Sequence, residues 1–319
     1  MIIANPLYDT VFKRLMENRR VARFFVETII GEQVVEIAMV PQEYTYYKKV
    51  HKKINKKEED SNTNKENDWE ILSLIRFDFV ATICTATGEH KKVLIEIQKS
   101  GKPTDLVRFR TYLGEQYKRI DMVDVISGKI EKALPIVSIY LFGFKIPNIK
   151  ATAIKVKRSY FDMISQTEIK QKSALIEALT HDGYFVQIPH IKGKPRSVLE
   201  KLLSVFEQQY FIDEKNILKE YEYLIDDENI NELIEILRHT ALNPKEKRCL
   251  EEEWWATQNE MEWEKEVVGM KKIIEDKNKA LEYKDKALED KDKALKDKDK
   301  LIAKVLKENE MLQQKLGLK

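Results

Sequence analysis

Two cysteines, Cys84 and Cys249, stand far apart in a chain of 319 residues. Two distant thiols exclude a disulfide framework and a zinc site built on cysteine. The five histidines (His51, His90, His181, His190 and His239) show no metal-ligand spacing, so they are expected to be structural or on the surface. Long apolar runs are also missing. None approaches the roughly 20 residues that cross a bilayer, and the run at Met1–Pro6 is too short for a secretory signal. No membrane partner is expected, and the expected setting is soluble and cytoplasmic. Nor is there a strong charge of one sign: 56 basic residues stand against 54 acidic ones, a net of +2. Such a chain exerts no long-range pull on nucleic acid, so any DNA binding must come from local basic patches. Proline is absent after Pro244, and only Gly269 and Gly317 interrupt that stretch.

What is abundant is charge of both signs. Charged residues make up 34% of the chain, above the usual quarter. The excess is uneven: residues 271–319 hold 15 lysines against 11 acids, +4, which leaves residues 1–270 at −2. A three-fold repeat fills much of that tail: Ala280-Leu281-Glu282-Tyr283-Lys284-Asp285-Lys286 is followed by two near copies starting at Ala287 and Ala294. A seven-residue period is the mark of a coiled coil. Here the apolar pair is adjacent, and Lys284, Lys291 and Lys298 stand where the second seam residue belongs. The seam improves only at Ile302, Val305, Asn309, Leu312 and Leu316. A weak or partner-dependent coiled coil, giving a homodimer through the C-terminal helix, is expected; a single charged helix is the close alternative. Asn243-Pro244-Lys245-Glu246 is a good start for it, with a capping Asn and Pro at the first helical position.

Ahead of the tail, elements alternate. Asn5-Pro6 opens a first helix with Leu7, Val11, Phe12 and Leu15 at helical spacing, and a second helix, Val21 to Ile30, stops at Gly31. Val34 to Val40 reads as a strand. Lys48 to Asp68 has almost no apolar residues and reads as a mobile charged loop. A hairpin follows, with one strand over Leu74–Ile83, a turn near Gly88, and a second strand over Lys92–Lys99. An amphipathic helix runs from Thr104 or Asp105 to about Asp121, and Pro135–Phe142 is a continuous apolar run suited to a buried, parallel strand. Residues 151–242 read as mainly helical, with breaks at His181-Asp182-Gly183 and Gly193-Lys194-Pro195.

The hairpin carries the chemistry. Alternation puts Asp78 on one face with Arg76 and Val80, and puts Glu96 with Leu94 and Gln98. A carboxylate in the middle of each apolar strand is costly to bury without a partner. An Asp and a Glu on neighbouring strands form the minimum carboxylate pair for a hard divalent cation such as Mg²⁺. Such a cation lowers the pKa of bound water and neutralises charge developing on a phosphate. Gln98 can orient a water by hydrogen bonding, although it is a poor proton acceptor. The plainer alternative is surface ion pairing on the wet face of an antiparallel sheet.

The order of elements, together with Asp9-Thr10-Val11-Phe12-Lys13, Arg76-Phe77-Asp78-Phe79 and Ile95-Glu96-Ile97-Gln98, resembles the PD-(D/E)XK phosphodiesterase superfamily. Within it, the chain is most similar to the nuclease family transposases and Rpn-type recombination-promoting nucleases. Arg108 with Tyr112, and the strand before Phe142-Gly143, add to the likeness, which covers roughly residues 5–145. The resemblance implies a restriction-endonuclease-like α/β core, with a central mixed sheet flanked by helices, that cuts DNA with Mg²⁺ or Mn²⁺ in recombination, transposition or defence. It implies Asp78 and Glu96 as metal ligands, helped by the backbone carbonyl of Ile97, and Gln98 in the position of the superfamily's lysine. Phe77 stands where the pattern has Pro. Lys99, Lys102, Arg108 and Arg110 are candidate DNA phosphate contacts. Asp9 is a minor metal candidate, and a carboxylate favoured by the helix dipole explains it as well. Tyr112 suits packing, and Trp254, Trp255 and Trp263 suit burial against the body or a second subunit.

The expected organisation is a nuclease-like domain over 1–242 (core 5–145, charged loop 48–68, helical extension 151–242) and a long charged helix over 243–319. The alternative function is a catalytically inactive nuclease-fold protein that binds DNA or acts as a scaffold through its C-terminal helix.

Overall fold

The structure, a computed structural model, describes residues 1–39, 44–49, 69–75, 79–99, 103–125 and 128–315. Asp78, Lys102 and all of the charged loop except Lys48 and Lys49 lie outside them. The chain begins β1 (Ile2–Ala4), α1 (Asp9–Glu17), α2 (Arg19–Ile30), β2 (Val34–Met39), β3 (Tyr44–Lys49) and β4 (Trp69–Ile75). It continues β5 (Phe79–Thr85), β6 (His90–Gln98), α3 (Pro103–Tyr117), β7 (Asp121–Val125), β8 (Gly128–Lys132) and β9 (Ile136–Phe142). Then come β10 (Ala153–Val156), β11 (Tyr160–Phe161), β12 (Glu168–Ile169), α4 (Ala174–Leu179) and β13 (His181–Gln187). The last elements are α5 (Val198–Ser204), β14 (Leu218–Glu220), α6 (Glu228–Leu242) and α7 (Pro244–Lys315).

A six-stranded mixed sheet in the order β10-β13-β9-β6-β5-β2 forms the centre, and helices flank it. β6, β9 and β13 run parallel; β5, β2 and β10 pair antiparallel. Strand alternation divides its side chains. Val93 and Ile95 face the larger core with Phe12, Phe25, Leu203, Phe206 and Leu233, contributed by α1, α2, α5, α6 and the residues just after α5. Leu94 faces a smaller core with Val80, Ile136 and Tyr140 under Phe109 and Tyr112 of α3. In the larger core the Phe12, Phe25 and Phe206 rings meet at 5.7, 5.8 and 6.5 Å.

Local signals explain several boundaries. Asn18 separates α1 from α2, its Oδ1 accepting from the N–H groups of Arg20 and Val21. Gly31, at φ 69°, ends α2 in the left-handed conformation that glycine adopts without strain. Asn243 caps α7, accepting from the Lys245 N–H.

Four expectations need correction. α1 starts at Asp9, later than Asn5-Pro6, because the Asn5 side chain is buried and committed to Asn216 O and Gln208. The expected strand Leu74–Ile83 is two elements: β4 pairs with β3 outside the central sheet, and β5 lies within it. Lys48 and Lys49, placed in the loop, belong to β3. The expected helical extension contains β10 to β14. The supposed break at His181-Asp182-Gly183 opens β13, whose pairing with β9 and β10 overrides its weak local propensity.

The chain forms two compact units, Met1–Trp254 and Trp255–Lys319. In the first, Trp254 packs against the larger core. In the second, the described side chains are nearly all exposed, Trp255 and Trp263 among them, so the chain itself does not bury these two tryptophans. Among the described residues no helix is long and apolar enough to cross a membrane.

Candidate functional site

The parallel strands β6, β9 and β13 end at Gln98, Phe142 and Gln187. The carboxyl ends of parallel strands are where open α/β sheets tend to place ligands. Glu96 and Gln98 sit there on the α3 face, 3% and 8% exposed. Across the parallel ladder Glu96 is opposite Tyr140, and Gln98 is opposite Phe142. Tyr140 stacks on Phe185 at 4.8 Å and meets the Phe109 edge at 4.3 Å. Burial raises the pKa of the Tyr140 phenol well above the ordinary tyrosine value, with a Ser138 hydrogen bond opposing it and the Glu96 charge adding to it.

Arg108, half-exposed on α3, brings Nη2 to 3.7 Å from Glu96 Oε1. An ion pair with one wetted partner is worth about 0.2–1 kcal/mol, whereas taking a carboxylate out of water costs several. The Arg108 pair alone therefore does not account for a glutamate at this position.

The close contact between the two strand ends depends on Gly143. Its N–H donates to Gln98 O at 2.7 Å. A Cβ at this position would lie 3.1 Å from Lys99 O and 3.2 Å from Lys99 Cα, so a side chain here crowds the backbone beside Gln98. This positioning residue follows an apolar run in the sequence, a signal that could have singled it out.

Lys99 turns away from Gln98, as alternation requires. Its Nζ lies 4.4 Å above the Tyr8 ring and 3.2 Å from Glu253 Oε1. Glu253, from the start of α7, also accepts from the Asp9 and Thr10 N–H groups at 2.7 and 3.0 Å, capping α1. Nothing in the local sequence announces this contact, which joins positions 244 residues apart. Burial, then the charges of Glu253 and Asp213, push the Tyr8 phenol upward.

The candidate residues thus separate. Glu96, Gln98 and Arg108 come together. Arg110 is exposed, and two residues of helix rotation (roughly 200°) set it on the other side of α3 from Arg108. Asp9 opens α1, which packs on the opposite sheet face, and its Oδ2 pairs with Lys13 while its Oδ1 is buried without a hydrogen bond. The Ile97 backbone is paired opposite Leu141 in β9. Tyr112 is buried in the smaller core, which fits its expected packing role. Asp78 and Lys102 lie outside the described residues; Asp78 directly precedes Phe79, the Cα partner of Ile95. Among the described residues no three His, Cys, Asp or Glu side chains cluster closely enough to hold a metal. Compared with profiles of known families, with curated proteins and with solved structures, the chain matches none.

Proposed function

We propose that the chain is a metal-dependent DNA endonuclease with a PD-(D/E)XK core that hydrolyses phosphodiester bonds in recombination, transposition or defence. The observation that carries this reading is the burial of Glu96 and Gln98 on one face at the carboxyl ends of parallel strands, with Arg108 beside them. The resemblance of the Asp78 and Glu96-Ile97-Gln98 motifs supports it.

The donor set fits a hard cation. Glu96 would supply a carboxylate, Asp78 a second by the resemblance alone, and the Ile97 carbonyl a third oxygen, the ligand type that Mg²⁺ and Mn²⁺ prefer. Bound there, the ion would supply charge neutralisation at the phosphate and acidify a water. Gln98 would orient a water through its side-chain amide, Arg108 would hold a non-bridging phosphate oxygen, and the Phe109–Tyr140–Phe185 wall would limit solvent on one side.

A second reading, a non-cleaving DNA-binding or scaffolding protein acting through its C-terminal helix, is favoured by the Arg108–Glu96 pair, which suits a structural role. Nicking of supercoiled plasmid with and without Mg²⁺ separates the two. Asp78→Ala and Glu96→Ala are expected to abolish metal-dependent nicking while keeping the parent's circular dichroism. If both variants cut like the parent, the nuclease reading is wrong.

A further inference from the structure

The second unit carries a surface that the nuclease reading does not use and whose occupant the second reading leaves unnamed. Along α7 the residues Ile274, Leu281, Leu288, Leu295 and Ile302 recur every seven positions, each more than half exposed. On a straight helix a seven-residue repeat drifts by about 20° per heptad, so the stripe winds slowly round the axis. Only a partner helix in a left-handed supercoil follows it over its length. With this stripe at heptad position a, Lys284, Lys291 and Lys298 fall at d, and Asp285, Asp292 and Asp299 at e.

We propose that the occupant of this stripe is a second copy of the same helix, parallel and in register. The charges select that arrangement. In a parallel coiled coil a d side chain packs into a hole bordered by the partner's d and e residues. Each Lys at d then meets the Asp at e of the partner: Lys284 with Asp285, Lys291 with Asp292, Lys298 with Asp299, and the reciprocal three. In an antiparallel pair, e faces e, which sets these three aspartates against one another. The Lys–Lys contacts across d are moderated by the same Asp side chains, and the lysine stems cover apolar surface.

The C-terminal end agrees. Asn309 falls at a, where an Asn pair favours two parallel strands in one register at some loss of stability. Val305 and Leu312 restore apolar residues at d, both more than half exposed in the single chain. The tail is thus a coiled coil with an ionic middle and an apolar clasp, and its self-association depends on salt. This inference does not depend on DNA cleavage.

Sedimentation equilibrium of the full chain tests it. A dimer is expected, with a dissociation constant that rises as salt goes from about 0.05 to about 0.5 M, because screening shortens the range of exposed charge interactions. The triple variant Asp285→Lys, Asp292→Lys, Asp299→Lys is expected to raise that constant at least about tenfold with unchanged helicity, since six attractive contacts become repulsive. Adding Lys284→Asp, Lys291→Asp and Lys298→Asp exchanges the charges and is expected to restore the dimer. In a Cys84→Ser, Cys249→Ser background, Leu295→Cys should oxidise to a covalent dimer, because a faces a only in a parallel, in-register pair. A full-chain monomer at about 100 micromolar, as an unpaired charged helix would give, overturns the proposal. So does a dimer that ignores the triple variant, or one that leaves Cys at 295 unlinked.

Discussion

Leu94 in β6 and Leu288 in α7 are the same residue in opposite settings: the first is 1% exposed, the second 58%. The carboxylates beside them, Glu96 and Glu289, differ in the same way. In β6 the stretch Lys92–Glu96 is buried between neighbouring strands and a core on each face, so a charge there must be offset by specific partners. In the tail, charges alternate freely in water, and only their period carries information. A buried charged residue therefore demands a partner or a task by its cost, as the Lys92–Asp121 pair shows, whereas an exposed one says something only through its repetition.

That contrast breaks first at Glu96. Glu96→Gln keeps the shape, removes the charge, and is expected to slow metal-dependent nicking at least about a hundredfold. Its melting temperature should hold or rise, as expected when a buried charge is removed with its volume kept. A variant that loses stability and activity together would instead mark Glu96 as structural.

Next in size is Gly143→Val. Its added side chain meets the Lys99 backbone, and overpacking of this kind costs about 1–3 kcal/mol, measurable by urea unfolding. Glu253→Ala removes the cap on α1 and the partner of Lys99. About 0.5–2 kcal/mol is expected, as for other lost caps.

Lys219 sharpens the comparison through pH. Its Nζ is buried and donates to the Val205 and Glu207 carbonyls, and burial lowers its pKa to about 7, with Glu207 opposing the shift. Between pH 7 and the ordinary lysine range the unfolded chain holds a proton that the folded chain has released. Raising pH therefore favours folding, by up to about 1 kcal/mol per pH unit from this one group. Lys219→Met should lose that slope, so its deficit against the parent should grow from pH 7 to 9. A deficit that does not change with pH would contradict the assignment. At the small end, Lys279→Ala breaks an exposed pair with Glu275 and should leave the melting temperature unchanged.

The sequence revealed most where the local signal and the tertiary role coincide. Asn18 and Gly31 bound α2, alternating Val93 to Gln98 mark β6, the run before Phe142 marks the parallel β9, and Asn243-Pro244 starts α7. It failed where distant partners decide. His181-Asp182-Gly183 reads as a break, yet pairing with β9 and β10 makes it a strand. Glu253 sets the start of α1 and the direction of Lys99 from the far end of the unit. In the candidate site, alternation put Glu96 and Gln98 on one face, and both are buried in the structure. Arg110 and Asp9 belonged to the same motif set in sequence, but helix rotation and the opposite sheet face separate them from Glu96.

The most direct test of the central claim is calorimetric titration of Mn²⁺ into the full-length parent and into Glu96→Gln. One site per chain in the parent, weakened at least about tenfold in the variant while both remain folded, is the predicted result. Equal affinity in the two proteins, or no binding to the parent, would contradict the assignment of Glu96 as a metal ligand.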